Sequence, residues 1–176
     1  MKKSILVTIF LIITTLLCSC GGDAEVPAGM KAVESSDDLS YNFFIPKDWI
    51  QDLSTGVVSA YYSTGDTSNI SITTYNIDNY EKTLDDYVEE YMTGLDENLG
   101  EFTLSEGYPQ NTLLGGIGAS KLEYTATFSG TQYKYMQLLC IYRGNMYVFT
   151  YTSNAEKYDS HMEEVNFMLD NFSFKQ

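Results

Sequence analysis

A single histidine in 176 residues excludes more chemistry than any other feature of this chain. A zinc site built on several imidazoles cannot form, a relay through a second histidine cannot form, and there is no G-x-S-x-G elbow to carry a serine nucleophile. That one histidine, His161, sits beside Met162 with Asp159 and Glu164 nearby, and is expected at the surface bordering a packed helix stripe. Basic residues are scarce as well: 10 Lys and Arg face 24 Asp and Glu, for a net charge of −14. Phosphate backbones and anionic headgroups repel such a surface, so nucleic acid is not an expected partner and the folded surface is not expected to adsorb to a bilayer. Cysteine is limited to three residues. Cys140, inside the apolar run 136–142, reads as a small buried hydrophobe, because no neighbour in sequence supplies a base or a positive field.

Long hydrophobic runs are also lacking, with one short exception. From Ile5 to Leu17 the chain is apolar apart from threonines, and at ~1.5 Å per residue this run covers only ~20 Å of a ~30 Å hydrocarbon core. Lys2 and Lys3 precede it and Leu17-Cys18-Ser19-Cys20-Gly21-Gly22 follows. This order resembles a bacterial lipoprotein signal peptide over residues 1–19, with a lipobox ending at Cys20. Cys18 fits the modified position badly, since Leu17 would then stand where a small residue is needed. The resemblance implies a diacylglyceryl thioether on Cys20 carrying palmitate-type chains, and two chains hold a membrane stably where one does so only marginally. Loss of Lys2 and Lys3 with the leader takes the charge from −14 to −16. With Cys20 consumed by lipid, only Cys140 remains and no internal disulfide is possible. The expected location is the extracytoplasmic side of the cell membrane.

Residues 20–29 read as the lipidated N-terminus and a flexible tether, and residues 30–176 as one domain. Short strands are expected at 31–35 and 41–45, with Pro46 ending the second. A hairpin follows at 57–63 and 69–76 around Thr64-Gly65-Asp66. Thr83 with Asp86 three residues on signals a helix whose stripe is Leu84, Val88, Tyr91, Leu95 and Leu99, stopped by Gly100. Gly94 inside it suggests close approach to the sheet. Strands are expected near 102–107, 117–128, 132–143 and 145–153, the third of these central, with tight reversals at Gly130 and Arg143-Gly144-Asn145. The last helix is expected to open at Ser153 or Asn154 with Glu156 in capping-box position. Its apolar stripe is Tyr158, Met162, Val165, Leu169 and Phe172. The grouping argues for an α+β fold with a central antiparallel sheet flanked by helices. Gly115-Gly116-Ile117-Gly118 is a turn entering a strand; it lacks the Gly-Lys-Ser/Thr run of a phosphate loop.

Several of these segments together resemble PsbP-like domains. Phe43-Phe44-Ile45-Pro46-Lys47-Asp48-Trp49 is similar to that family's opening. Gly116-Ile117-Gly118-Ala119 before Leu122-Glu123-Tyr124 is similar to its turn into a long hairpin, and Ser153-Asn154-Ala155-Glu156 and Asn171-Phe172-Ser173-Phe174 are similar to its end. The resemblance spans residues 30–176 and implies an α/β/α sandwich. Some members are bacterial lipoproteins; PsbP itself is an extrinsic photosystem II subunit associated with calcium and chloride retention. That photosynthetic role does not carry over, and no metal-contacting residue of the family matches a position here.

Two surfaces stand out. The first helix carries Asp85, Asp86, Glu89, Glu90, Asp96 and Glu97 with no Lys or Arg between Thr83 and Glu101, a face suited to solvation or to a basic partner. Tyr61, Tyr62, Tyr75 and Tyr80 cluster on the first hairpin and its exit, and Asp85, Asp86, Glu89, Glu90, Tyr61 and Tyr75 form the candidate partner surface. No catalytic set and no cofactor site is expected. The expected function is a non-catalytic binding or assembly accessory for an envelope protein; the alternative is a cation- or small-ligand-binding lipoprotein using the acidic helix face. No D-x-D-x-D-G loop is present to gather calcium's oxygens.

Overall fold

Alternation of apolar and polar residues along the longest strands sets two faces of one large sheet, and the turns between them are short enough to fix their register. The computed structural model describes residues 24–35, 38–77 and 81–176. The elements run β1 (Met30–Ala32), β2 (Tyr41–Asn42), β3 (Phe44–Pro46), β4 (Ile50–Gln51), β5 (Val58–Ser63), β6 (Asp66–Asn76) and α1 (Leu84–Asn98). They continue with β7 (Gly100–Leu104), β8 (Gln110–Leu114), β9 (Ile117–Phe128), β10 (Thr131–Tyr142) and β11 (Asn145–Asn154). A 3-10 turn (Tyr158–His161) then leads into α2 (Met162–Asp170) and β12 (Ser173–Phe174). An eight-stranded sheet has the order β4-β5-β6-β11-β10-β9-β7, with β8 also on β9. Every pairing is antiparallel. Two small ribbons, β1 with β3 and β2 with β12, complete the set. The result is a sheet-dominated α+β fold.

Three hairpins close through two residues that both have positive φ: Gly115-Gly116, Ser129-Gly130 and Arg143-Gly144. This is the sign of turn whose twist matches that of paired strands. The first two links bring β8, β9 and β10 side by side, and the third adds β11, which is buried along most of its length.

The two sheet faces bury different residues. Met136, Leu138, Cys140, Tyr147, Phe149 and Tyr151 join Phe43, Trp49, Val165 and Met168 in one cluster. Leu122, Tyr124, Leu139 and Val148 join Val88, with Leu84, Tyr91 and Leu95 of α1 against them, in the other. Gln137 ties α1 to the sheet: its amide donates to the Tyr91 hydroxyl at 2.8 Å and to Thr150 at 3.0 Å, while Tyr124 donates to its carbonyl at 3.1 Å. Cys140 is wholly buried, and burial pushes its thiol up to about 12, so it stays neutral and unreactive at physiological pH.

The first helix forms as its signals require. Thr83 caps it, with the reciprocal Thr83–Asp86 capping box present. Two of its glycines differ from expectation. Gly100 is not a left-handed stop: Leu99 leaves the helix extended and Gly100 begins β7, where an added Cβ would sit 3.1 Å from the Thr127 carbonyl. Gly94 has nothing within 4 Å of an added Cβ, so it marks no close approach to the sheet. Gly94→Ala is therefore expected to stabilise the domain by about 0.5–1 kcal/mol, through lower unfolded-chain entropy and better helix propensity. The check is a higher urea midpoint with unchanged m-value.

The last helix is shorter than the sequence suggests. Ser153 and Asn154 stay in β11 opposite Lys134 and Tyr133, and the Ala155 N–H continues the ladder to the Gln132 carbonyl. Their backbone groups are taken, so no helix can start there; the Glu156 N–H instead donates to the Asn154 Oδ1 in a turn at 3.0 Å. The expected stripe still packs, because Tyr158, Val165 and Phe172 are buried. The sequence signals no strand at 110–114, where β8 forms, and the strand expected at 102–107 ends at Leu104: the Ser105 N–H still donates to the Glu123 carbonyl of β9, but its carbonyl accepts from the Tyr108 N–H and closes a turn. Residues 24–29, expected as tether, lie against the domain: Ala24 packs on the core and the Met30 N–H donates to the Pro27 carbonyl.

Candidate interaction surfaces

Helix α1 presents Asp85, Asp86, Glu89, Glu90, Asp96 and Glu97 to solvent, as the sequence indicates. Two of them are already engaged. Asp86 accepts from the Thr83 N–H and hydroxyl, both at 2.7 Å, and its carboxyl is held below the usual range by those bonds; Glu90 pairs with Lys82. Among the described residues no group of three His, Cys, Asp or Glu side chains converges to hold a metal.

The tyrosines do not form one patch. Tyr61 pairs with Ile50 on one side and Asn69 on the other, whereas Tyr75 lies six residues beyond Asn69 on β6, ~20 Å away along the strand. Tyr75 is 47% exposed and close enough to raise the Tyr91 hydroxyl, which burial chiefly pushes up to about 12. So Tyr75 borders α1 and Tyr61 does not. Tyr62 turns to the opposite face and packs on Trp49 and His161. Tyr80 lies outside the described residues.

His161 is the principal correction. It is buried, with ring contacts to Trp49 at 5.9 Å and Tyr62 at 4.1 Å. The 3-10 turn before α2 points it inward against the β5–β6 hairpin. Its Nδ1 is 3.0 Å from Glu164 and its Nε2 is 3.3 Å from Asp66. Asp66 also accepts from the Ser68 N–H and hydroxyl and pairs with Lys157 at 3.3 Å. Ser68 in turn meets the buried Ser153 hydroxyl at 2.7 Å. Burial alone would raise the Asp66 carboxyl, but the bonds from Ser68, His161 and Lys157 outweigh it and hold the group well below the ordinary carboxylate range. Both imidazole nitrogens face carboxylates and Ser68 faces Asp66. The serine is thus not placed for activation by the histidine.

A groove of about 480 Å³ opens on the far side of Glu164, between α2 and the segment entering β1. Ala28, Met30, Pro46 and Phe167 give it an apolar floor, and Glu163, Glu164 and Asp170 line it with acid. Phe167 is 43% exposed, and Val26 on the same N-terminal segment 46%.

The family model for DcrB matches residues 42–171, from β2 to the end of α2. The chain belongs to the DcrB family. No curated protein matches its sequence significantly. Among solved structures, this DcrB-family chain is similar to the cyanobacterial PsbP, CyanoP, of Synechocystis sp. PCC 6803, with a TM-score of 0.60 at 20% identity over 90% of this chain and 98% of that one. It is similar also to LpqN of Mycobacterium tuberculosis, a protein involved in cell envelope biogenesis, with a TM-score of 0.58 at 17% identity over 84% and 91% of the two chains. A Pseudomonas aeruginosa protein of unknown function gives 0.55 at 18% identity over 81% and 94%. The PsbP resemblance read from the sequence therefore holds in the fold of this DcrB domain.

Cys20 lies outside the described residues, and no described helix is long and apolar enough to cross a membrane. Sequence reasoning missed the Asp66–His161–Glu164 network and the groove. The His161–Glu164 spacing of three is a local signal for half of the network, and for the groove the signal is Phe167, which falls off the apolar stripe of its own helix; nothing local points to Asp66.

Proposed function

We propose that this DcrB-family protein is a lipid-anchored, extracytoplasmic, non-catalytic accessory that binds or assembles an envelope partner. The observation that carries the reading is the DcrB match over the folded domain combined with the lipobox-like Leu17-Cys18-Ser19-Cys20 ahead of it. The similarity to LpqN, itself involved in envelope biogenesis, supports the setting. Supporting the non-catalytic role, the one histidine has both nitrogens committed to Asp66 and Glu164. The two core clusters support the finer architecture, with α1 on one face and α2 on the other in an α/β/α sandwich.

Anchoring at Cys20 holds the domain close to the bilayer. Ala24 already packs on the core, so the four steps along the chain from Cys20 to Ala24 span at most ~14 Å. Palmitate labelling of cells is expected to mark the native protein and leave Cys20→Ala unlabelled, with intact mass showing a chain that begins at Cys20 and carries the diacylglyceryl group. A bare Cys20 thiol or a retained leader overturns the anchor. Crosslinking in intact cells that recovers no specific envelope protein overturns the accessory role.

A further inference from the structure

We infer that the groove between α2 and the N-terminal segment is the docking site for the partner, and that it takes a peptide segment bearing one apolar side chain flanked by lysine or arginine. This rests on the accessory reading and names the chemistry of the partner it requires. The floor, formed by Ala28, Met30, Pro46 and Phe167, offers apolar surface on which a side chain of leucine size gains by leaving water. Phe167 is nearly half exposed on a helix whose neighbouring Val165 and Met168 are wholly buried, so its ring is spent on the groove and not on the core.

Charge decides between occupants. Three carboxylates and no lysine or arginine line the groove. Glu164 is oriented from behind by His161 Nδ1 at 3.0 Å, while Glu163 and Asp170 make no ion pair among the described residues. An anionic headgroup or a second copy of this strongly acidic chain meets repulsion there, whereas a cationic segment has its charges matched on both sides of its apolar anchor. Ala28 and Met30 of the groove stand eight and ten residues after Cys20 in sequence, so an anchor at Cys20 keeps the site within ~36 Å of the bilayer and of segments held there.

The test uses the native full-length product in mild zwitterionic detergent and a fluorescein-labelled nonapeptide with a central leucine flanked on each side by two lysines. Fluorescence anisotropy is expected to show saturable binding, weakened about tenfold or more when glutamate replaces the lysines or glycine the leucine, and weakened steeply by salt. Phe167→Ser and the pair Glu163→Lys and Asp170→Lys are each expected to weaken it by a similar factor. All three positions are exposed; the lysine at Asp170 suits the C-terminal end of the α2 dipole and offsets the small loss from the lysine at Glu163 in its first turn, and circular dichroism and the urea midpoint check that each variant is folded. Equal binding of lysine and glutamate peptides, or indifference to these variants, overturns the proposal. So does a dimer in sedimentation that Phe167→Ser dissociates, or displacement of the peptide by short-chain phosphatidylglycerol. Each of these leaves the accessory reading standing if crosslinking still recovers a partner, and the loss of all crosslinks with peptide binding intact removes the accessory reading alone.

Discussion

Asp66→Ala is expected to destabilise the domain by about 3 kcal/mol, because it removes the carboxylate on which three donors and a histidine ring nitrogen converge at a largely buried site. Asp66 holds the Ser68 N–H at 3.1 Å, the Ser68 hydroxyl at 2.7 Å, and both His161 Nε2 and Lys157 Nζ at 3.3 Å. Its side chain is only 17% exposed and that of His161 only 7%. Breaking a buried pair costs about 3–5 kcal/mol when one partner is left uncompensated. The lower end applies here, since Lys157 is half exposed and Ser68 keeps Ser153. The effect carries a pH signature. The folded carboxyl lies below its ordinary value, so its contribution is present in full above the unfolded pKa of about 3.9 and is lost as pH falls below that toward the folded value. Urea midpoints of wild type and Asp66→Asn are thus expected to differ most at neutral pH and to converge toward pH 2. A difference that grows in acid would show that the carboxylate is not the stabilising form.

The same residue shows where sequence reading stops. Asp66 stands in a hairpin loop of turn-forming residues, and nothing within ten positions betrays a histidine 95 residues later in the chain. His161 looks like a surface residue because its local neighbours are acids and a methionine; it is buried because the 3-10 turn rotates it relative to α2 and aims it at Trp49 and Tyr62. What is local was legible. The Thr83–Asp86 cap, the alternation of Leu122, Tyr124 and Ala126 with their polar neighbours and the Arg143-Gly144 turn each encode their geometry within a few residues and appear where the pattern puts them, while Phe128, next on the same alternation, ends β9 exposed. The end of β11 was not legible, since Ser153-Asn154-Ala155-Glu156 satisfies a helix-start pattern while its backbone is already claimed by Gln132, Tyr133 and Lys134 on the neighbouring strand. Tertiary pairing overrode local propensity there. On the partner surface the outcome divides along the same line: the exposure of Asp85, Asp86, Glu89 and Glu90 follows from helix period, whereas the separation of Tyr61 from Tyr75 depends on which ends of β5 and β6 lie together.

Gly115→Ala is the second substitution with a large expected cost, about 2–5 kcal/mol, and its neighbour supplies the control. Gly115 and Gly116 form the two-residue turn between β8 and β9, with φ of +56° and +81°. Both angles lie in the left-handed region, where a Cβ costs roughly 1–2 kcal/mol. At Gly116 that is the whole penalty, since nothing lies within 4 Å of the added carbon. At Gly115 the carbon would stand 2.9 Å from Phe172 Cδ1 and 3.1 Å from Phe174 Cδ2. Neither ring is free to yield. Phe172 is stacked on Tyr41 at 5.3 Å between ring centres and packs on Phe43, and Phe174 is stacked on Tyr142 at 4.3 Å. Relief would have to move the chain end from β2 and β10, adding an overpacking cost of about 1–3 kcal/mol. Thermal and urea unfolding of the two alanine variants should therefore separate by the overpacking contribution, with Gly115→Ala the less stable. Equal losses at both positions would mean that the C-terminal rings give way without cost and that backbone conformation alone makes this turn glycine-rich.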